Sequence, residues 1–497
     1  MLFNSYIFLF AFLPLSLAGY FLAGRLGRVT AALWLIAASL AFYAWWNPAF
    51  LPVLLVSIGF NYAASALIAR SGLKNTVLAA AIVINIATLF YYKYMLAVLA
   101  FLHLAHPAGI ALPLGISFFT FTQIGYLVDV AQGVAKDRGA LQYLQFVTFF
   151  PHLIAGPILH NREIMPQFLT ETTGRFSAAD MAVGSTMFIM GLLKKTLLAD
   201  PTALIAAPGF AHPASLGFFA AWHTALAYSL QLYFDFSGYS DMAIGLARMF
   251  NIRFPLNFNS PYKAASIIDY WQRWHMTLSR YLNLYLYNPV ALAVARRRVA
   301  RGLGAGRRAH ATAGGFASLV ALPTIFTMFL AGIWHGAGLQ FIVFGLLHAT
   351  YLTINHAWRI FGPARKADGL PARIGSIALT YLCVLAASIF FRAASCTDAV
   401  TLLGGMAGLH GTGPSMPLPE KAKSLIWLVL LYTIVWFMPN TQQIMRAHEP
   451  ALGRIQPGPF SELAWRPSLT WAVAAGLGAS LGVLALGGTT EFLYFQF

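Results

Sequence analysis

The chain has 497 residues, 59% of them hydrophobic and only 9% charged, where soluble proteins carry about a quarter charged residues. Apolar runs of about 18 or more residues recur from end to end, which excludes an ordinary soluble protein and points to a multi-span helical membrane protein. The net charge of +17, from 32 Lys and Arg against 15 Asp and Glu, belongs mainly in short cytoplasmic loops and also suits anionic lipid or an anionic cofactor; no zinc-finger, helix-turn-helix or stacking-aromatic pattern supports a nucleic-acid partner.

The first span is expected over 3–22, bent or ended by Pro14, with Arg25 and Arg28 after it. It lacks a basic leading region and further spans follow at once, so it does not read as a cleaved signal peptide. Spans over 30–46, 50–68 and 76–92 come next, the second closing in the interfacial cluster YAWW at 43–46. Residues 95–160 are broken by Pro113, Pro151 and Pro157 and studded with Ser117, Thr120, Thr122 and Gln123. Such sequence predicts short, tilted or re-entrant elements around an internal site, because irregular backbone at membrane depth must be buried in protein or line a cavity. Ordinary kinked spans are the alternative.

Residues 179–198 predict a span stopped by Lys194 and Lys195, and 216–233 another that leads into YFDFSGYSDMAIGLARMF at 233–250. Asp235 and Asp241 are costly there and call for a cap, a partner cation or a polar wall. After a polar loop at 251–263, residues 264–287 predict an amphipathic interface helix. Ile268, Trp271, Trp274, Leu278 and Tyr281 form its apolar face, and Asp269, Gln272, Arg273 and Arg280 its polar face. The cluster Arg296, Arg297, Arg298, Arg301, Arg307 and Arg308 is expected to stay cytoplasmic. Two apolar arms, 314–333 and 339–358, flank Trp334-His335-Gly336-Ala337-Gly338; Arg359, Arg365 and Lys366 follow. Glycines 332, 336 and 338 permit close backbone approach or positive φ. Spans at 375–391, 424–438 and 467–487 complete an all-α, polytopic chain of about 10–13 spanning or re-entrant helices, expected as one membrane domain over 1–497. Cys383 and Cys396 imply packing, with no disulfide framework.

His335 interrupts one of the most apolar stretches. A neutral imidazole there is suited to deprotonating an alcohol beside a thioester or ester carbonyl, and a dry pocket limits hydrolysis of the acyl donor. A hydrogen-bonded structural histidine explains the same residue. His275, beside cations, is either a chemical group or an interface anchor. His348, His356 and His152 are weaker candidates; His348 lies thirteen residues beyond His335. The histidines form no metal-ligand series, so no metal is expected. No P-loop, G-x-G-x-x-G or G-x-S-x-G is present.

The strings FLP at 12–14, LPLGISFFTF at 112–121, AGPILH at 155–160, LQLYFDFSGYSDMAIGLARMF at 230–250, FPLNFNSPY at 254–262, WQRWHMTLSRYL at 271–282, AGIWHGAG at 331–338, PNTQQIM at 439–445 and FLYFQF at 492–497 together resemble the membrane-bound O-acyltransferase superfamily. The likeness is to its bacterial polysaccharide O-acetyltransferase branch, which includes alginate and peptidoglycan O-acetylation, and it covers nearly the whole chain. The resemblance implies a tunnel through a helical domain, with His335 as the catalytic histidine of W-H-G and His275 as the second histidine of R-W-H. It implies donor-side roles for Asp235, Tyr239, Asn259, Arg273 and Trp334. LH at 159–160 departs from relatives that often carry a basic residue nearby, a part Arg162 is placed to take. Acetyl-CoA is the implied donor and a polysaccharide the acceptor, reached directly or through a periplasmic partner, from a multi-pass position in lipid of the bacterial inner membrane. D-alanyl or another acyl transfer is the nearest alternative. A transporter is the alternative of a different class.

Overall fold

A computed structural model describes residues 1–104, 110–135, 139–363, 369–413 and 418–487; Arg365, Lys366 and the FLYFQF string lie outside them. Among the described residues 77% are helical and none forms a strand, as backbone in lipid requires. Among the described residues seven helices are long and apolar enough to cross a membrane, or up to eight. Their outer faces carry bare apolar side chains such as Val56, Val83, Ile426 and Leu477, the surface expected toward lipid. Arg28–Ala44 and Ile116–Ala131 are apolar but shorter. Between 95 and 160 the helices are short: Met95–Phe101, Ile116–Ala131, Ala140–Thr148 and Phe150–Leu153.

Two compact units interleave along the chain. The first comprises Met1–Leu197, Asp235–Leu256 and Pro439–Gln496; the second comprises Leu198–Phe234 and Asn257–Met438. The 32-residue helix Phe218–Met249 contributes its first half to the second unit and its later half to the first.

In the first unit, Phe3, Phe8, Phe42 and Phe150 form an aromatic core, with ring centroids 5.1–6.5 Å apart. Beside it, a buried amide cluster joins three helices. Asn61 of Leu51–Arg70 and Asn85 of Lys74–Lys93 exchange hydrogen bonds of 3.0 and 2.8 Å, and Gln123 of Ile116–Ala131 accepts from Asn61 Nδ2 and from Ser57 Oγ.

Ser177 opens the helix Ala178–Leu193 by accepting from the Asp180 N–H, the usual way to satisfy an orphan donor. This helix runs antiparallel to the later half of Phe218–Met249, and glycines set the spacing. A Cβ on Gly184 would sit 2.6 Å from Gly245 O, and one on Gly191 2.6 Å from Gly238 O. Small residues at such crossings let membrane helices touch backbone to backbone. Asp180 and Arg248 clip one end of the pair at 2.6 Å.

Lys194 and Lys195 do not stop this span. The chain continues through a π-helical turn, Lys194–Ala199, into Asp200–Ala211 as one 34-residue stretch. The widened turn brings two consecutive lysines onto carboxylates of the neighbouring helix. Lys194 reaches Asp241 and Lys195 reaches Asp235, each at 2.6 Å. An ammonium at this depth is tolerable because it is paired.

In the second unit, Leu322–His335 and Leu339–Phe361 form a tight hairpin through residues 336–338. Gly332 and Gly345 mark the crossing: a Cβ on the first would strike Phe341 O, and one on the second Met328 O. Gly332 therefore serves close approach. Gly336 and Gly338 are extended, with φ of −169° and −88°, so positive φ plays no part. At the start of the hairpin region Arg298 hydrogen-bonds Gly304 O, Gly314 O and Ser318 Oγ, fastening the basic loop to the next helix. Tyr262 donates to Ser229 O at 2.6 Å and anchors the turn before residue 264.

Replacing Gly332 with alanine is expected to push the hairpin helices apart and cost about 1–3 kcal/mol. The readout is thermal unfolding in detergent. An unchanged midpoint would refute the close-contact reading.

Candidate active site

The helix expected over 264–287 is broken. Ile267–Trp271 ends at Gln272, Met276–Leu282 begins after His275, and a π-helical turn, Asn283–Tyr287, follows. The break is conformational: His275 adopts φ 43°, ψ 53°, a left-handed conformation that no hydrophobic pattern reveals and that a side-chain-bearing residue holds only when its surroundings impose it.

Those surroundings centre on Asn257. Its Oδ1 accepts from Thr277 Oγ1 at 2.8 Å and from the Thr277 N–H at 3.3 Å, and lies 3.0 Å from His275 Nδ1. The Asn257 carbonyl accepts from the Met276 N–H at 2.9 Å. Because an amide oxygen only accepts, His275 Nδ1 carries the proton and Nε2 is the basic atom of the neutral ring. Burial lowers the imidazole's proton affinity, to a pKa of about 3, so the ring stays neutral across the physiological range. Far from anchoring a headgroup interface, His275 is 1% exposed.

Asn259 and Arg273 lie on the same turn. The Asn259 N–H donates to Arg273 O at 2.8 Å, Arg273 Nη1 reaches Asn259 O at 3.4 Å, and Arg273 Nε pairs with Asp269 at 2.7 Å. The Arg273 side chain keeps about a third of its surface exposed. Arg273 thus joins the two sides of the loop while its side chain stays partly exposed.

His335 closes the first hairpin helix and is buried. Its ring meets aromatic edges on three sides: Trp334 at 4.9 Å, Phe391 at 5.1 Å and Phe344 at 5.7 Å. The wall is apolar and continuous, since Phe344 and Phe391 also pack on each other at 5.1 Å. Such walls restrict water and hold the imidazole in one orientation.

Two residues enter that carry little or no weight in the sequence alone. Asn257, two positions before the selected Asn259, holds the His275 turn. His348 lies across the same aromatic wall as His335, its ring 4.8 Å from Phe344. Thirteen residues is a long separation along a helix, but the hairpin folds it back. The spacing of Phe344 and His348, one helical turn apart, was the available signal.

His335, Trp334, His275, Arg273 and Asn259 thus share one unit. Asp235 and Tyr239 belong to the other. There Tyr239 stacks on Phe3, centroids 4.8 Å apart, and Asp235 pairs with Lys195, both side chains under 5% exposed. His152 is also in that unit, its Nε2 2.7 Å from Phe146 O, a packed structural histidine. No group of three His, Cys, Asp or Glu residues suited to a metal occurs among the described residues.

Residues 115–304 match the family model described as MBOAT, membrane-bound O-acyltransferase family, a span that includes His275 and ends before His335. Over longer stretches the chain is 39% identical to the peptidoglycan O-acetyltransferase of Helicobacter pylori, covering 88% of this chain and 86% of that protein. It is 38% identical to the probable alginate O-acetylase AlgI of Azotobacter vinelandii, covering 79% and 75%. It is 28% identical to the teichoic acid D-alanyltransferase of Streptococcus thermophilus, covering 52% and 61%.

Lys195→Met alone leaves a buried carboxylate and is expected to cost about 3–5 kcal/mol, whereas Lys195→Met with Asp235→Leu should recover most of the stability. Unfolding midpoints of the two variants check this. Acyl transfer by the double variant then tests whether Asp235 touches the donor: retained turnover with unchanged donor KM would assign it to packing alone.

Proposed function

Since the chain belongs to the membrane-bound O-acyltransferase family, we propose that it moves acetyl groups from cytoplasmic acetyl-CoA to hydroxyls of an extracytoplasmic polysaccharide, directly or through a periplasmic partner, in the bacterial inner membrane. The observation that carries the chemistry is the placement of His335, a buried imidazole enclosed by Trp334, Phe344 and Phe391. The polysaccharide acceptors in the names of the relatives, peptidoglycan and alginate, support the acceptor class.

In this reading His335 is the general base. It takes the proton of the acceptor hydroxyl as that oxygen bonds to the thioester carbonyl carbon. The tetrahedral intermediate collapses with cleavage of the carbon–sulfur bond, and the departing thiolate takes the proton back from the imidazolium. The aromatic enclosure keeps water from competing for the acyl group. The neutral His275, with Nε2 as its basic atom, is a second acid-base group in the same unit and orients a reactant or assists proton transfer. Arg273, with its partly exposed side chain, and Asn259 and Trp334 are assigned to the donor side, where the planar fork of Arg suits phosphate oxygens. Asp235 and Tyr239 are assigned there as well.

The chain is also similar, at lower identity and over a shorter stretch, to a teichoic acid D-alanyltransferase, so the D-alanyl group is the second donor to try. Purified protein in lipid would be offered radiolabelled acetyl-CoA with candidate glycans, with and without a periplasmic partner. His335→Ala is expected to lower transfer by about 10²–10⁴-fold, the contribution of a positioned general base. Turnover with a D-alanyl donor and none with acetyl-CoA would overturn the acetyl assignment.

A further inference from the structure

His348 occupies a position no part of the reaction has used. It is 2% exposed, and three residues of the second unit define its ring. Trp271, the last residue of Ile267–Trp271, donates its indole N–H to His348 Nδ1 at 3.3 Å. Tyr270 lies parallel to the imidazole, 6.2 Å away and tilted by 8°. Phe344, one turn earlier on His348's own helix, presses an edge on it at 4.8 Å and meets His335 at 5.7 Å.

The hydrogen bond fixes the chemistry of this histidine. An indole nitrogen only donates, so Nδ1 must hold a lone pair and the ring proton sits on Nε2. A proton on Nδ1 would set two donors against each other and break the bond. His348 is therefore held neutral and in one tautomer, and its ring cannot rotate about Cβ–Cγ without losing the indole. Because Phe344 packs between the two imidazoles, the ring position of His348 limits that of Phe344, which in turn limits that of His335. On the other side, Tyr270 stacks on Trp274 at 5.8 Å and 13°, and Trp274 precedes His275. One chain of rings runs from the His335 hairpin to the His275 turn.

We infer that Trp271 and His348 are positioning residues for acyl transfer: their hydrogen bond pins the hairpin that carries His335 to the segment that carries His275. The inference rests on the reading of His335 as the base. It assigns neither residue a contact with substrate. What they supply is orientation, and orientation errors of an ångström at a reacting group lower rates by up to about 10²-fold.

The test uses the full chain in lipid nanodiscs and compares Trp271→Phe, His348→Phe, His348→Asn and the double variant Trp271→Phe with His348→Phe. The amide oxygen of asparagine can accept the indole N–H where Nδ1 did. Trp271→Phe and His348→Phe are each expected to lower kcat by about 10- to 100-fold with the donor KM changed less than twofold (roughly, as positioning of the base leaves donor binding intact). His348→Asn should recover most of the rate. The double variant should lose no more than the worse single, since both remove one bond. Lower unfolding midpoints with unchanged kcat per folded molecule would overturn the inference, as would additive losses in the double variant or no recovery in His348→Asn. Should His348→Phe not fold, Trp271→Phe removes the bond from the other side and carries the same comparison. His335→Ala separates the two claims: persisting transfer there sinks the base assignment, whereas its loss alongside wild-type kcat in Trp271→Phe and His348→Phe sinks only the positioning inference.

Discussion

The Lys195–Asp235 pair is the constraint around which the first unit is arranged. Two opposite charges meet at 2.6 Å, almost wholly removed from solvent. Each would be severely destabilising alone in such a place, and their attraction offsets the lost hydration only while the geometry holds. That geometry depends on backbone features some distance away. Gly184 against Gly245 and Gly191 against Gly238 let the two helices approach closely enough, and the π-helical turn at Lys194–Ala199 aims consecutive lysines at carboxylates six residues apart. Sliding one helix by a single turn would uncouple both pairs and drive backbone into backbone. The charges therefore act less as a source of net stability than as a device that selects one register.

The second unit uses aromatic edges where the first uses charges. The hairpin from Leu322 to Phe361 is closed by two glycines, and the face that carries His335 is a wall of Trp334, Phe344 and Phe391. Such a wall encloses an imidazole by ring edges. The His275 turn is built the opposite way, with the Asn257 side chain gathering three hydrogen bonds from His275 and Thr277. One histidine is enclosed by shape and the other fixed by a hydrogen bond to its Nδ1.

The all-helical, multi-span character was legible in the sequence, because apolar run length is a property of composition along the chain. The carboxylates Asp235 and Asp241 were legible as an anomaly, and a partner cation was among the solutions expected. What composition could not show was that the partners were Lys194 and Lys195. Cations usually mark where a span ends, and a π-helical turn that retains them has no sequence period of its own. The break at His275 was hidden for a related reason: an apolar stripe continues on both sides of a residue whose φ has changed sign. His348 was set aside because separation was counted along one helix, whereas the relevant distance crosses a hairpin.

The amide cluster in the first unit bears on how the chain is made. Asn61, Asn85 and Gln123 are each unfavourable to place in lipid alone, and each becomes acceptable when hydrogen-bonded to another of the three. The helices Leu51–Arg70 and Lys74–Lys93 are joined by three residues, 71–73, and Asn61 and Asn85 satisfy each other reciprocally. They therefore suit entry into the bilayer as a pre-paired couple rather than one after the other. Gln123 emerges later in synthesis and finds a receptor already assembled. The order of residues along the chain is thus also an order of assembly, in which each polar group reaches the membrane when its partner is there to meet it.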